Sequence, residues 1–85
     1  MRTIIRFSIN GEADGALRGR LNTILVNDGL FTMTGTATYE RLDITPNELS
    51  ILLEAFWERI ANHPGPGTLD HFWMYSDNPN ILIGN

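Results

Sequence analysis

The chain has 85 residues, no cysteine and a net charge of −4, with 10 acidic against 6 basic side chains. That length suits one domain near the lower limit for folding unaided, and the missing thiols exclude disulfide staples and thiolate metal sites. Hydrophobic residues at 42% and charged residues at 19% describe an ordinary globule, and the acidic balance opposes non-specific nucleic-acid binding, which needs many cations.

All six basic residues are Arg. Arg suits bidentate and stacked contacts at interfaces, although a genome-wide compositional bias produces the same count. Residues 1–3 lead straight into an alternating stretch with no secretory signal, and no apolar run reaches membrane-spanning length. The expectation is a cytoplasmic protein.

Residues 2–9 alternate as a strand, with Thr3, Ile5, Phe7 and Ile9 on one face and Arg2, Ile4, Arg6 and Ser8 on the other. Asn10-Gly11-Glu12 breaks it. Asp14 is placed to cap a first helix, whose apolar stripe is Leu17, Leu21, Ile24 and Leu25. Gly29 follows Asn27-Asp28 and fits a helix terminus that needs positive φ. Residues 30–41 are rich in Thr and aromatics and read as two short strands, 30–34 and 36–41, broken at Gly35, or as one bent strand.

The second helix carries the clearest signals. Thr45-Pro46-Asn47-Glu48 is a capping box with Pro at the first helical position, and Ile44 with Leu49 can form a hydrophobic staple. Leu49, Leu52, Leu53, Phe56 and Ile60 share its inner face. His63-Pro64-Gly65-Pro66-Gly67 ends the helix and acts as a rigid connector. In residues 69–76 a period of two puts Phe72 and Met74 on one face and His71, Trp73 and Tyr75 on the other. Asp77-Asn78-Pro79-Asn80 is a turn, and Ile81-Leu82-Ile83 reads as a short fifth strand on a sheet edge, in its own chain or a partner's.

The element order predicts an α+β, ferredoxin-like βαββαβ sandwich over residues 1–85, with both helices on one sheet face. The other face is then open and carries Ile4 and Arg6 beside His71, Trp73 and Tyr75. Trp, Tyr and Arg are enriched at binding hot spots, and monomers seldom leave such a patch bare. A homodimer packed sheet to sheet is the simplest expectation, with a heterologous protein as the other candidate partner. A base-stacking platform for single-stranded RNA is the sharper alternative, and the absence of Lys together with the acidic charge makes nucleic acid unlikely as the partner.

No catalytic constellation or metal motif is legible. Asp70 and His71 are adjacent on a strand, which predicts opposite faces, and no His/Cys spacing resembles a zinc site. Ser8, Ser50 and Ser76 lack a nucleophile elbow. The acids on the second helix, Glu48, Glu54 and Glu58, read as a solvated face. No cofactor is implied.

The strand order with a short extra terminal strand resembles the dimeric virulence-associated protein D ribonucleases and the small CRISPR adaptation-subunit nucleases. In those families an acid near the end of the first strand is linked to metal-assisted cleavage. The matching position here is Asn10, an amide, so the resemblance implies a metal-dependent endoribonuclease only if Asp14 or Asp77 replaces that acid. Asp14-Gly15-Ala16-Leu17, followed by a helix and Asn27-Asp28-Gly29, is similar to the start of amino-acid-binding ACT regulatory domains. That resemblance implies a small-molecule sensor with its site near residues 10–17. The leading expectation remains a small non-enzymatic homodimeric binding or regulatory protein.

Overall fold

The computed structural model describes residues 1–12 and 14–77; the fifth strand expected at 81–83 and most of the turn before it lie outside them. Strand β1 (Arg2–Asn10) is bonded on both sides, to β3 (Thr38–Arg41) and to β4 (Thr68–Asp77). Strand β2 (Thr32–Gly35) pairs with the far side of β3, so the sheet runs β2-β3-β1-β4 with every neighbour antiparallel. Two helices, α1 (Ala16–Thr23) and α2 (Pro46–Ala61), complete an α+β arrangement. No helix among the described residues is long and apolar enough to cross a membrane.

The alternation in β1 decides which sheet face the helices cover. Thr3, Ile5, Phe7 and Ile9 are buried, in one core with Leu17, Leu21 and Leu25 from the α1 side and Leu49, Leu52 and Phe56 from α2. Phe7 is the hinge of this core. It stacks on Tyr39 at 5.7 Å and meets the edge of Phe56 at 5.4 Å. Thr3 is fully buried in this apolar row, and its hydroxyl is satisfied by the Ser76 hydroxyl at 2.8 Å across the strand pair. The matching row of β4 is less enclosed: Phe72 packs on Phe56 and Trp57, whereas Met74 is 37% exposed.

Helix α2 begins as its sequence dictates. The Thr45 hydroxyl accepts from the Glu48 N–H at 3.1 Å, and the Glu48 carboxylate accepts from the Thr45 N–H at 3.1 Å. Arg41 extends this cap into a tie between elements. Its guanidinium donates to Glu48 at 3.2 Å, to Asp43 at 3.1 Å and to the Gly29 carbonyl at 3.1 Å. Hydrogen bonding to Thr45, reinforced by Arg41, holds the Glu48 carboxyl below the usual carboxylate range.

Helix α1 departs from expectation at both ends. The capping position is Gly15, in the left-handed region at φ 71, and Asp14 accepts only from the Ala16 N–H. The Glu12 carboxylate does most of the capping, accepting from the N–H groups of Leu17 at 2.9 Å and Arg18 at 3.3 Å. Glu12 reaches them from outside the helix, held beside Gly67, where a Cβ would come within 3.1 Å of it. At the other end the helix widens into a π-helical turn over Ile24–Asp28, closed by Gly29 N–H to the Ile24 carbonyl at 2.8 Å.

Gly29 has an ordinary negative φ of −92, and the left-handed residue is Leu30 at φ 58. Space explains the glycine: a Cβ at 29 would stand 2.8 Å from the Leu52 methyls and 2.9 Å from the Leu25 carbonyl oxygen. The left-handed step then passes to Leu30, which projects into solvent, and Phe31 returns to the core. The break between β2 and β3 also falls later than Gly35. The turn residues are Thr36 and Ala37, with Ala37 left-handed at φ 53.

Two outcomes follow from this packing. Gly29→Ala should destabilise the protein by about 1–3 kcal/mol, because the Leu25 carbonyl cannot give way as a side chain can; chemical denaturation measures it. A carboxyl held low contributes stability that is complete above its unfolded pKa and lost as pH falls through the folded one. Glu48→Gln should therefore lower the thermal midpoint near pH 7, and the difference from wild type should close on acidification to about pH 3.

Candidate functional site

The row of β1 that faces away from the helices is Arg2, Ile4, Arg6 and Ser8. Its direct partners on β4 are Tyr75 for Ile4, Trp73 for Arg6 and His71 for Ser8; on β3, Glu40 lies opposite Ile4 and Thr38 opposite Arg6. The five residues singled out from the sequence, Ile4, Arg6, His71, Trp73 and Tyr75, thus lie side by side. Thr38, Glu40 and Ser8 complete the face, and their own alternation carries the signal that would have added them.

The centre of this face is a stacked strip. The Arg6 guanidinium carbon lies 5.7 Å from the centroid of the Trp73 ring, and Trp73 stacks on Tyr75 at 6.4 Å with 12° between planes. Trp73 is 50% exposed and Tyr75 43%, whereas Ile4 is partly buried beneath them. The strip is pre-ordered: cross-strand pairing fixes the backbone, and each ring is braced by its neighbour. Trp57 is also half-exposed, but its ring packs against Phe72 at 4.7 Å, so it is the rim of the core.

At one end of the strip the register shifts. Ile9 pairs with Leu69 and Ser8 with His71, which leaves Asp70 as the extra residue of a bulge. The bulge overturns the expectation that Asp70 and His71 point apart. Asp70 Oδ2 lies 2.7 Å from His71 Nδ1, and the Ser8 hydroxyl approaches both, at 3.4 and 3.5 Å. The composition is that of a Ser-His-Asp triad but the connectivity is not. Both partners converge on Nδ1, whereas a relay needs the carboxylate on one ring nitrogen and the hydroxyl on the other.

Charge on this face is mixed and largely paired. Arg2 pairs with Glu40, Asp70 sits on His71, and the Arg6 charge lies over an indole. A cavity of about 430 Å³ opens at the Arg6 end, lined by Trp73, His71, Ser8 and the Thr36-Ala37 turn.

Asn10, Asp14 and Asp77 are not brought together. Asn10 lies opposite Thr68 at one end of β1, while Asp77 lies opposite Arg2 at the other, about 26 Å along the strand. Asp14 is at the start of α1 with its carboxylate engaged by the Ala16 N–H. Among the described residues no group of three His, Asp or Glu side chains is placed to hold a metal ion.

Comparison of the chain with protein-family models and with curated proteins finds no match. The site is therefore read from its own geometry. Arg6→Ala should cost the fold only about 0.5–1 kcal/mol, the scale of an exposed cation–π contact. It should also shift the Trp73 indole N–H resonance while leaving that of Trp57 in place, as a two-dimensional NMR spectrum would show.

Proposed function

We propose that the protein is a non-enzymatic ferredoxin-like binding module that acts as a homodimer, paired through its open sheet face. The strand order, with β1 and β3 in the middle and the helices sharing one core, supports the ferredoxin-like reading. A fifth strand over residues 81–83 belongs to the same reading and would lie along the edge of β4 that faces away from β1. The observation that carries the function is the half-exposed Arg6–Trp73–Tyr75 strip on a face that no helix covers.

A second copy suits this face better than other partners of the same size. Cations and acids are interspersed across it (Arg2, Arg6, Glu40, Asp70, Asp77), so a two-fold rotation can set each sign against its opposite. Four strands about 4.8 Å apart and up to ten residues long present a face of roughly 500 Å², and protruding side chains bring this near the roughly 800 Å² per partner of a standard interface. A short chain without staples also gains stability from self-association. The regulatory output would then be the capture of another protein by the dimer in the cytoplasm. Nucleic acid is disfavoured as a partner, because paired charges leave few cations to neutralise phosphates.

Sedimentation equilibrium at micromolar concentration should give twice the chain mass for wild type. Trp73→Ala should weaken pairing by about 2 kcal/mol or more, roughly thirtyfold, as a central anchor does. Met74→Ala, one residue along on the other face, should leave the mass unchanged. A monomeric wild type would end this reading.

A further inference from the structure

The β2–β3 hairpin stops short of its neighbour. Strand β3 pairs with β1 from Thr3 to Arg6, one further bond joins the Phe7 N–H to the Ala37 carbonyl at 3.3 Å, and β1 then runs on to Asn10. Among the described residues no strand lies beside those last positions on that side. Helix α1 passes over the gap with Gly15, Arg18, Gly19 and Asn22, spaced by three and four so that they share one helix face. The result is a cavity of about 640 Å³, distinct from the one beside Trp73 though it shares the hairpin turn as a wall.

Gly19 is the feature the fold alone does not explain. It sits within α1 with ordinary helical backbone, and a Cβ there would meet no atom within 4 Å. Neither φ nor packing asks for glycine, and the helix forfeits about 1 kcal/mol relative to alanine. What the glycine does is keep that wall of the cavity low.

The walls have a definite chemistry. Phe7, Tyr39 and Met33 offer apolar surface, Phe7 and Tyr39 being stacked with 8° between planes. The Tyr39 hydroxyl donates to Asn22 Oδ1 at 2.8 Å, which orients the amide and leaves its two N–H donors unused by that bond. Arg18 makes no ion pair among the described residues. Burial raises the Tyr39 hydroxyl above its usual pKa and the Arg18 charge opposes this, so the guanidinium is within electrostatic reach of the hydroxyl. No Asp or Glu lines the cavity, so an ammonium group would find no partner.

We propose that this cavity binds a small amphipathic monocarboxylate, its aryl or alkyl body against Phe7, Met33 and Tyr39 and its carboxylate held by Arg18 and the Asn22 amide. One cation and one amide match a single negative charge; a dianionic phosphate asks for more. The proposal does not depend on pairing through the open face.

The test is an NMR titration of the full chain with 4-phenylbutanoate, with the neutral 4-phenylbutanamide as its counterpart. The carboxylate should shift the amides of Gly15, Gly19 and Asn22 saturably and bind about tenfold more tightly than the amide. Arg18→Gln should bring the carboxylate down to the affinity of the amide. Gly19→Leu should abolish binding of both compounds while holding or raising the thermal midpoint. Absence of saturable shifts at millimolar carboxylate would overturn the proposal. So would equal affinity for the two compounds in wild type, or binding that Arg18→Gln leaves unchanged.

Discussion

Strand β1 is the constraint from which the rest follows, because it alone is bonded to two neighbours along most of its length. Its inner row of Thr3, Ile5, Phe7 and Ile9 recruits both helices to one face. Once those side chains are buried, Arg2, Ile4, Arg6 and Ser8 must point the other way, and cross-strand pairing lays Trp73 and Tyr75 beside them. The open face is thus the necessary complement of the core. Its unusual property is the residues it carries.

A second consequence of the same strand is the mismatch of lengths around it. Nine residues of β1 meet four of β3 on one side and ten of β4 on the other. On the long side the surplus is absorbed as a bulge that gathers Asp70, His71 and Ser8. On the short side it leaves a gap that α1 bridges without filling. Both cavities at this end of the sheet trace to that one imbalance. Arg41 steadies the opposite end, tying the close of β3 to the start of α2 and the end of the π-helical turn.

What could be read from the sequence was what depends on near neighbours. The capping box at Thr45 and Glu48, the alternation of β1, and the sides taken by Arg6, Trp73 and Tyr75 are all set by residues within a few positions of one another. What could not be read depends on contacts across the fold. Asp70 turns toward His71 only because β4 takes a particular register against Ser8 and Ile9. Glu12 displaces Asp14 as the main cap of α1 because Gly67, far along the chain, holds it in place. The glycine at 29 answers to Leu52, not to its own φ, so the rule that usually explains a glycine after a helix named the wrong residue. The hairpin break moved from Gly35 to Thr36-Ala37 because Ala37 accepts a left-handed backbone that propensity assigns to glycine.

The π-helical turn sets a limit on how this chain can vary in length. Such a turn holds one residue more than the α-helix it interrupts, so its hydrogen bonding would be regularised by deleting a single position. The same deletion would swing everything after it by about 100° about the helix axis. Gly29 would leave its place against Leu52, its carbonyl would turn from Arg41, and Phe31 would rotate out of the core. Side chains in residues 24–28 can therefore drift within their burial pattern while the number of residues cannot. In a family of such chains, gaps should collect at the exposed turns and spare this segment.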